Sequence, residues 1–569
     1  MNQEEAAPSF FLSWRNGYNR TLFKGDLIAG LTVGIVLIPQ GMAYALLAGA
    51  PPVYGLYASL IPLVMYALLG STKQLAVGIV AIDSLIVAAS VAMLAPSGSQ
   101  DYLGYALLLA LMVGCIQLAM GLLRFGFVVN LLSRPVITGF TAGAALIIGM
   151  SQLQHLMGVP LGRNMNVFLL LSEAFGRLAE LHAITLAMGI GGIVLLLALT
   201  KWAPRIPAPL VVVVVSALVV FFTRLDLQGV AIVGEIPAGL PRPSFPAWSL
   251  EAVQQLFPTA VTLSLIQFMG VISLGKMFAS KHGYRVQPNR ELVALGAMNI
   301  TGSAFQSLPV SVSYSRSAVN DRAGAQTPFS NAIAALLILC TLLFLTPFFY
   351  YLPIPIFASI IMVSAFGLVN VTEVRFLLRT KAIDGAIALL TFFSTLTLGI
   401  EQGILTGIGL SVIAIMYRIS RPNIAILGHI PHSRSFRDVN NHENAHQFEG
   451  VILIRIDASF SFANADRLQD TIIDHVSESG ARAIVLDASS VNDLDTTGLA
   501  TLIEVNKILQ KKNILFYISS LRQKSLDMLA SCGAMDEIGR DHFLLDTHRA
   551  LLEVLSRWDR QQEYLDRLS

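Results

Sequence analysis

Residues 37–49 read LIPQGMAYALLAG and lie inside Leu27–Ala50, a run without a charged side chain. A helix needs roughly 20 apolar residues to cross a hydrocarbon core about 30 Å thick, so the run reads as a membrane span. Yet Pro39, Gln40 and Gly41 stand near its middle, where a helix breaker and an amide are most expensive. Such an interruption is tolerated where it faces protein or a cavity instead of lipid. The stretch therefore points to a polytopic helical bundle with a polar interior.

Composition extends this reading to most of the chain. Of 569 residues, 54% are hydrophobic and 13% charged, against about 25% charged in an ordinary soluble domain. A net charge of +2, with no basic run, sets nucleic acid aside as a partner. Cys115, Cys340 and Cys532 are far apart and outside any CxxC spacing, so they read as small apolar fillers and not as disulfides or zinc ligands. No metal or cofactor is expected. MNQEEAAPSFFLSWRNGYNR begins acidic and lacks a short apolar stretch with a cleavage site, so no removable signal peptide is expected.

Charge-poor apolar segments recur near 26–47, 53–70, 76–95, 102–123, 127–149, 182–200, 208–223, 257–276, 291–306, 312–323, 326–347, 354–370, 384–399 and 402–418. That is about fourteen spans, or twelve with the last pair re-entrant. Alternate connections collect the basic residues, which prefer the cytoplasmic side: Arg15, Arg20 and Lys24, then Lys73, Arg124, Lys201 and Arg205, Lys276 to Arg290, Arg375 to Lys381, and Arg418 with Arg421. Both termini are thus expected in the cytoplasm, with the protein in the cell inner (plasma) membrane. The long opposite connections, 150–181 and 224–256, carry Arg163, Arg177, Arg224 and Arg242, but long loops obey the rule weakly. If the spans divide seven and seven, the odd number inverts the second set, the repeat many transporters use.

From about residue 450 the pattern becomes short strands alternating with amphipathic helices: strands over 450–462, 481–489 and 513–519, helices over 464–477, 497–511, 521–532 and 547–559. The expected divisions are a cytoplasmic segment 1–25, a transmembrane transport domain 26–420, a linker 421–449 and a soluble α/β domain 450–562. The linker holds four histidines, His429, His432, His442 and His446, which read as a solvated connector in preference to a metal site.

Strongly polar side chains inside a bilayer are functional candidates, and few are present: Gln40, Asp83, Gln117, Gln267 and Arg316. Asp83 and Gln117 also suit helix packing. Among these intramembrane candidates there is no GxSxG, HExxH or Walker motif and no pair of carboxylates within helical reach, so an enzyme is not expected. The stretches AVGIVAIDS (76–84) and LPVSVSYSRSAVN (308–320) read as extended chain leading into half-helices. A half-helix that begins at mid-membrane aims unpaired N–H groups and a positive dipole end into the interior, where an anion binds. The alternative reading is a serine-rich loop with Arg316 as an ordinary cytoplasmic charge.

Residues 30–78, GKMFASKHGYRVQPNRELVALGAMNITGS (275–303), SYSRSAVNDRAGAQT (313–327) and LDASSVNDLDTTGLATL (486–502) resemble the sulfate permease (SulP) family, relatives of the solute carrier family 26 anion transporters, over nearly the whole chain. The resemblance implies an α-helical polytopic membrane protein with a 7+7 inverted repeat of the uracil-permease type. Core and gate domains, a homodimer and a C-terminal cytoplasmic STAS domain (sulfate transporter and anti-sigma-factor antagonist) come with it. It implies an anion site formed by Gln40 and Tyr44 from the first span, Val80 and Ala81 at the third, and Ser315 with Arg316 at the tenth. It also implies alternating-access transport of inorganic anions, sulfate first, with bicarbonate or C4-dicarboxylates as alternatives.

Two departures stand out: FMGV (268–271) puts Gly270 where many members carry a carboxylate, and AVGI replaces the commoner AVGP. A site with Arg316 and no carboxylate suits divalent anions and anion exchange. Loss of that carboxylate also keeps open a transport-deficient scaffold acting through its STAS domain, with a cytoplasmic partner. In that domain Thr496 and Thr497 match the turn in which antagonists are phosphorylated, and a helix cap by Asp495 and its neighbours is the competing role.

Overall fold

The computed structural model describes residues 12, 14, 15, 18–127, 133–161, 167–203, 207–246 and 248–568. Most of the N-terminal segment, residues 128–132 of the fifth apolar segment, and Arg163 and Arg205 lie outside the described residues. The chain divides into two compact units, Met1–Ser411 and Val412–Ser569.

The first unit is helical. In order it contains α1 (Arg20–Leu47), α2 (Val53–Tyr57), α3 (Ile61–Leu69), β1 (Val77–Gly78), α4 (Ala81–Val91), α5 (Gln100–Leu122), α6 (Arg134–Ser151), α7 (Leu153–Met157), α8 (Val167–Gly176), α9 (Ala183–Trp202) and α10 (Ala208–Thr223). There follow α11 (Leu250–His282), α12 (Pro288–Ala304), β2 (Ser311–Val312), α13 (Tyr314–Arg322), α14 (Phe329–Cys340), α15 (Ile354–Phe366), α16 (Val371–Thr380), α17 (Ala382–Leu398) and α18 (Ile400–Ser420), whose last turns fall in the second unit. All fourteen apolar segments contain helix, and among the described residues eight helices are long and apolar enough to cross a membrane. Val194 and Leu197 on α9, Phe222 on α10 and Phe393 on α17 are exposed, as lipid-facing side chains must be.

The opening stretch forms one continuous helix. Asn19 caps α1 by accepting from the N–H groups of Thr21 and Leu22, both at 3.0 Å. The helix then runs through Pro39 to Leu47, so the break expected there is absent. Pro39 is buried, and close packing of α1 against its neighbours holds the helix together around the missing donor. Small residues make that packing close: a Cβ on Gly55 would stand 1.9 Å from the Gly41 carbonyl oxygen, and one on Gly30 2.5 Å from that of Ser330. Glycines also join α5 to α12, where a Cβ on Gly296 would lie 2.6 Å from the Leu118 nitrogen. Lipid gives helices no hydrophobic reason to associate, so backbone proximity supplies the dispersion energy.

Several expectations change. The connection 150–181 contains α7 and α8, and the eighth segment extends at both ends into the 33-residue α11. Cys115, Cys340 and Cys532 are exposed, so they fill no core. The stretch 421–449 is no simple connector: it supplies β3 (Ile424–His429) and β4 (Phe436–Asp438). The physical reason lies in IAIL (424–427), whose apolar side chains are covered once the strand enters a sheet.

That sheet belongs to the second unit, with β5 (Val451–Ile456), α19 (Ala465–Ser479), β6 (Ala483–Asp487), α20 (Thr496–Lys511), β7 (Leu515–Ser519), α21 (Gln523–Ser531), α22 (Ala534–Ile538), β8 (Phe543–Leu544), α23 (Thr547–Ser556) and α24 (Gln561–Leu568). Strand order is β4-β3-β5-β6-β7-β8; β3 pairs antiparallel with β4 and β5, and the others are parallel. Ile484 and Leu486 pack on one face with Leu468 and Leu502, while Val485 packs on the other with Leu551 and Val554. His429 is fully buried, its ring 4.8 Å from that of Tyr564.

Replacing Gly55 by Ala overpacks the α1–α2 contact and costs about 1–3 kcal/mol. Gly191→Ala, whose Cβ meets nothing within 4 Å, costs none. Thermal unfolding of the detergent-purified protein, followed by tryptophan fluorescence, distinguishes the two; an unshifted Gly55→Ala melt refutes the contact.

Candidate functional site

Two extended stretches meet inside the helical unit. β1 and β2 pair antiparallel, with Val77 opposite Val312 and Gly78 opposite Ser311. Two residues apiece cannot satisfy their own backbone, so buried amides complete the pattern. Asn331 accepts from the Val77 N–H at 3.2 Å and donates to the Leu75 carbonyl at 2.8 Å. Asn299 likewise accepts from the Val310 N–H at 2.9 Å and donates to its carbonyl at 3.1 Å. Ser317 Oγ accepts from the Ala76 N–H at 2.9 Å.

Two buried carboxylates fasten the flanks. Glu291, fully buried, accepts from Tyr66, from the Ser71 and Thr72 N–H groups at 3.0 and 2.8 Å, and from both of their hydroxyls. Asp26 accepts from the N–H groups of Gln326 and Thr327 at 2.7 and 2.9 Å. Both residues, with Asn299 and Asn331, escaped the sequence reading. Their only sequence signal is a polar side chain at the edge of, or within, an apolar segment.

Each strand leads into a half-helix, and the two starts differ. Ser313 caps α13, its hydroxyl accepting from the Arg316 N–H at 3.4 Å. Val80 at the start of α4 has no side-chain oxygen to offer, so the first N–H groups of that helix are uncapped. A cavity of about 490 Å³ lies in front, lined by Tyr44, Val80, Ala81 and Ser315 among the expected residues. Gly270 lines it too; a Cβ there would meet only Val312, at 3.8 Å. The opposite wall is mainly apolar, with Ile137 and Phe140 from α6 and Val363 from α15, and carries the hydroxyls of Thr141 and Ser364.

Gln40 and Arg316 are brought together, but behind the start of α4 and outside the cavity lining. Arg316 is fully buried; its Nη2 donates to the Ile79 carbonyl at 2.9 Å and its Nη1 to Gln40 Oε1 at 3.4 Å. Its charge backs the α4 start without lining the cavity, and among the described residues its Nε finds no partner. Gly78, at φ 138°, lets the strand pass 3.2 Å from Nη2, measured from where a Cβ would stand.

The expectation of a carboxylate-free site is corrected. Asp83, 2% exposed, lines the cavity from the first turn of α4. It accepts from Gln267 Nε2 at 2.8 Å; Gln267 Oε1 in turn accepts from Gln117 at 2.8 Å and from Asn299 at 3.2 Å. Asp83 is among the polar candidates the sequence offers, with helix packing as its other role, but the sequence reading does not set it in the anion site.

In the second unit Asp495 caps α20, accepting from the Gly498 and Phe462 N–H groups, both at 2.8 Å. Partial burial pushes its carboxyl up, but these backbone donors and that of Thr497 outweigh burial and hold it below the usual carboxylate range. Thr496 and Thr497 are exposed in the first helical turn.

An uncapped helix N-terminus over an interior cavity, in a helical unit with lipid-facing flanks, is the arrangement of a multi-pass membrane transporter for anions. The chain belongs to the sulfate permease family: residues 23–391 match that family, and residues 443–550 match the STAS domain. It is 34% identical over 548 residues to the chloroplastic sulfate transporter 4.1 of Arabidopsis thaliana, covering 93% of this chain and 80% of the relative. A probable sulfate transporter of Mycobacterium tuberculosis is 34% identical over 530 residues, 93% of this chain and 94% of its own. The fold is that of the murine solute carrier 26 family member A9 anion transporter in its inward-facing state, with TM-score 0.90, 24% identity and coverage of 98% and 96%. The transmembrane domain of a cyanobacterial bicarbonate transporter superposes with TM-score 0.60 at 22% identity, covering 69% of this chain and 98% of that one.

Gly78→Ala forces a strained φ against Arg316 and costs more than about 1 kcal/mol, whereas Gly270→Ala stays within about 0.5 kcal/mol; thermal melts that rank them the other way contradict the geometry. At Asp495 the sign follows from the lowered carboxyl: its capping is present above about pH 4, the ordinary carboxylate value, and is lost as pH falls through the folded value. Hydrogen-exchange protection factors at Gly498 are therefore lower in Asp495→Ala at neutral pH and converge with wild type in acid. A constant difference across pH refutes the cap.

Proposed function

We propose that the protein carries small divalent anions, sulfate foremost, across the cell inner (plasma) membrane by alternating access. The observation that carries this reading is the uncapped start of α4 over the cavity, with Ser315 and Tyr44 beside it and Arg316 behind. Four unpaired N–H groups and a positive dipole end favour an anion there, and the likeness to sulfate transporters of Arabidopsis thaliana and Mycobacterium tuberculosis supports sulfate. The cavity exceeds the size of one tetrahedral anion, so a C4-dicarboxylate is the second reading.

In this reading residues 26–420 carry transport and 450–562 form the STAS domain, with 421–449 joining them. The antiparallel meeting of two strand–helix units supports about fourteen spans in a 7+7 inverted repeat. Core and gate parts, both termini in the cytoplasm and a homodimer belong to the same proposal. Exposed Thr496 and Thr497 are proposed as the regulatory hydroxyls. Asp83 removes the electrostatic ground for preferring exchange, which rested on a site without a carboxylate.

Purified protein in liposomes takes up labelled sulfate, and Arg316→Ala reduces the rate at least tenfold, about 1.4 kcal/mol of transition-state stabilisation, while the protein still elutes as one species. Ser315→Ala weakens uptake through the apparent KM. Fumarate, bicarbonate and chloride added outside rank the competitors. Undiminished uptake by Arg316→Ala sinks the site; competition by fumarate stronger than by unlabelled sulfate replaces sulfate with a dicarboxylate.

A further inference from the structure

We propose that α16 and the residue that follows it form a site for the headgroup of an anionic phospholipid at the edge of the membrane. The helical run is broken just before it: α15 ends at Phe366, and Asn370 caps α16 by accepting from the Glu373 N–H at 3.0 Å. α16 has ten residues, hence about 15 Å of helix, roughly half of what a hydrocarbon core requires. Its sequence, VTEVRFLLRT, includes Glu373, Arg375 and Arg379. A short helix of that composition suits the boundary between lipid and water.

Only one stripe of the helix is covered. Leu377 is buried and Val374 half-buried, and Glu373, on that side, pairs with Arg134 at the start of α6 at 3.6 Å. Arg375 and Arg379 lie one turn apart and share a face turned away from Leu377. Both are exposed, as is Lys381 just beyond the helix. Among the described residues none of these three cations has an ion pair or a ring beneath it. Other basic residues of this unit are engaged: Lys281 with Asp321 at 2.5 Å, Lys73 over the Tyr284 ring, and Arg290 on the Leu69 carbonyl at 3.0 Å.

Apolar side chains flank the cations. Val371, Phe376 and Leu378 are about half exposed, and Phe366 before the helix and Ile383 after it are exposed as well. This pairing fits one occupant, a lipid whose acyl chains cover the apolar flank and whose phosphate meets the cations. A soluble anion leaves the flank in water, and a zwitterionic lipid brings no net charge to the three cations. The position gives the site a hold on the cavity. α16 links α15 to α17 and packs on α6, and α6 and α15 supply Ile137, Phe140 and Val363 to the cavity wall. A headgroup bound at α16 therefore anchors that wall to the membrane surface, whichever anion the cavity takes.

Native mass spectrometry of the full-length protein, released from neutral-detergent micelles titrated with dioleoyl phosphatidylglycerol or dioleoyl phosphatidylcholine, tests this by counting bound lipid. Each cation beside an anionic surface strengthens binding roughly fivefold, so the wild type is expected to take its first phosphatidylglycerol at least about tenfold more tightly than its first phosphatidylcholine. Arg375→Gln, Arg379→Gln and Lys381→Gln combined are expected to abolish that preference, and Arg375→Lys with Arg379→Lys to keep it. Equal binding of the two lipids by wild type overturns the proposal, and that measurement stands even if a variant fails to fold. Persistence of the preference in the triple glutamine variant overturns it equally. So does its loss when Lys276→Gln, Arg285→Gln and Arg322→Gln, at exposed cations elsewhere in the unit, are introduced instead.

Discussion

The structure hangs on one constraint: backbone that leaves the helical state inside a membrane must find every hydrogen bond within the protein. β1 and β2 answer it by pairing with each other, and the amides of Asn299 and Asn331 close what two-residue strands leave open. Everything at the site follows from that pairing. It allows the two half-helices to begin in the interior, and it brings the start of α4 and that of α13 to one cavity. An orphaned buried amide costs about 1–3 kcal/mol, so either asparagine is as necessary to the fold as a core leucine.

The half-helices share a geometry and divide the chemistry. Ser313 caps one donor in the first turn of α13, whereas α4 begins at a valine and has no side-chain cap. Arg316 adds positive potential from behind without presenting its guanidinium to the cavity. An anion held mainly by backbone donors, with a fixed charge at one remove, gives up less water and is released more readily than one gripped by a bidentate guanidinium. A carrier needs binding that is reversible on both sides.

Much of this was legible in the sequence because lipid imposes strong patterns. The apolar segments, the two interrupted stretches and the α/β character after residue 450 follow from period and composition. Within the site, Tyr44, Val80, Ala81 and Ser315 were named on the family resemblance and do line the cavity. Other features were hidden for reasons of geometry. Pro39 reads as a break, yet tight glycine contacts keep α1 continuous. Asp83 and Gln267 are 184 residues apart, and one-dimensional spacing does not show that they touch. The apolar IAIL was submerged in a polar stretch, so β3 passed for linker.

Glu291 carries a mechanical consequence. Its carboxylate gathers five hydrogen bonds from Tyr66, Ser71 and Thr72 just ahead of β1, and Asp26 does similar work just behind α13. Among the described residues, no hydrogen bond runs from either strand or half-helix to the α6 and α15 wall. The side of the cavity toward α6 and α15 is therefore the one that no such bond pins to the strands and half-helices.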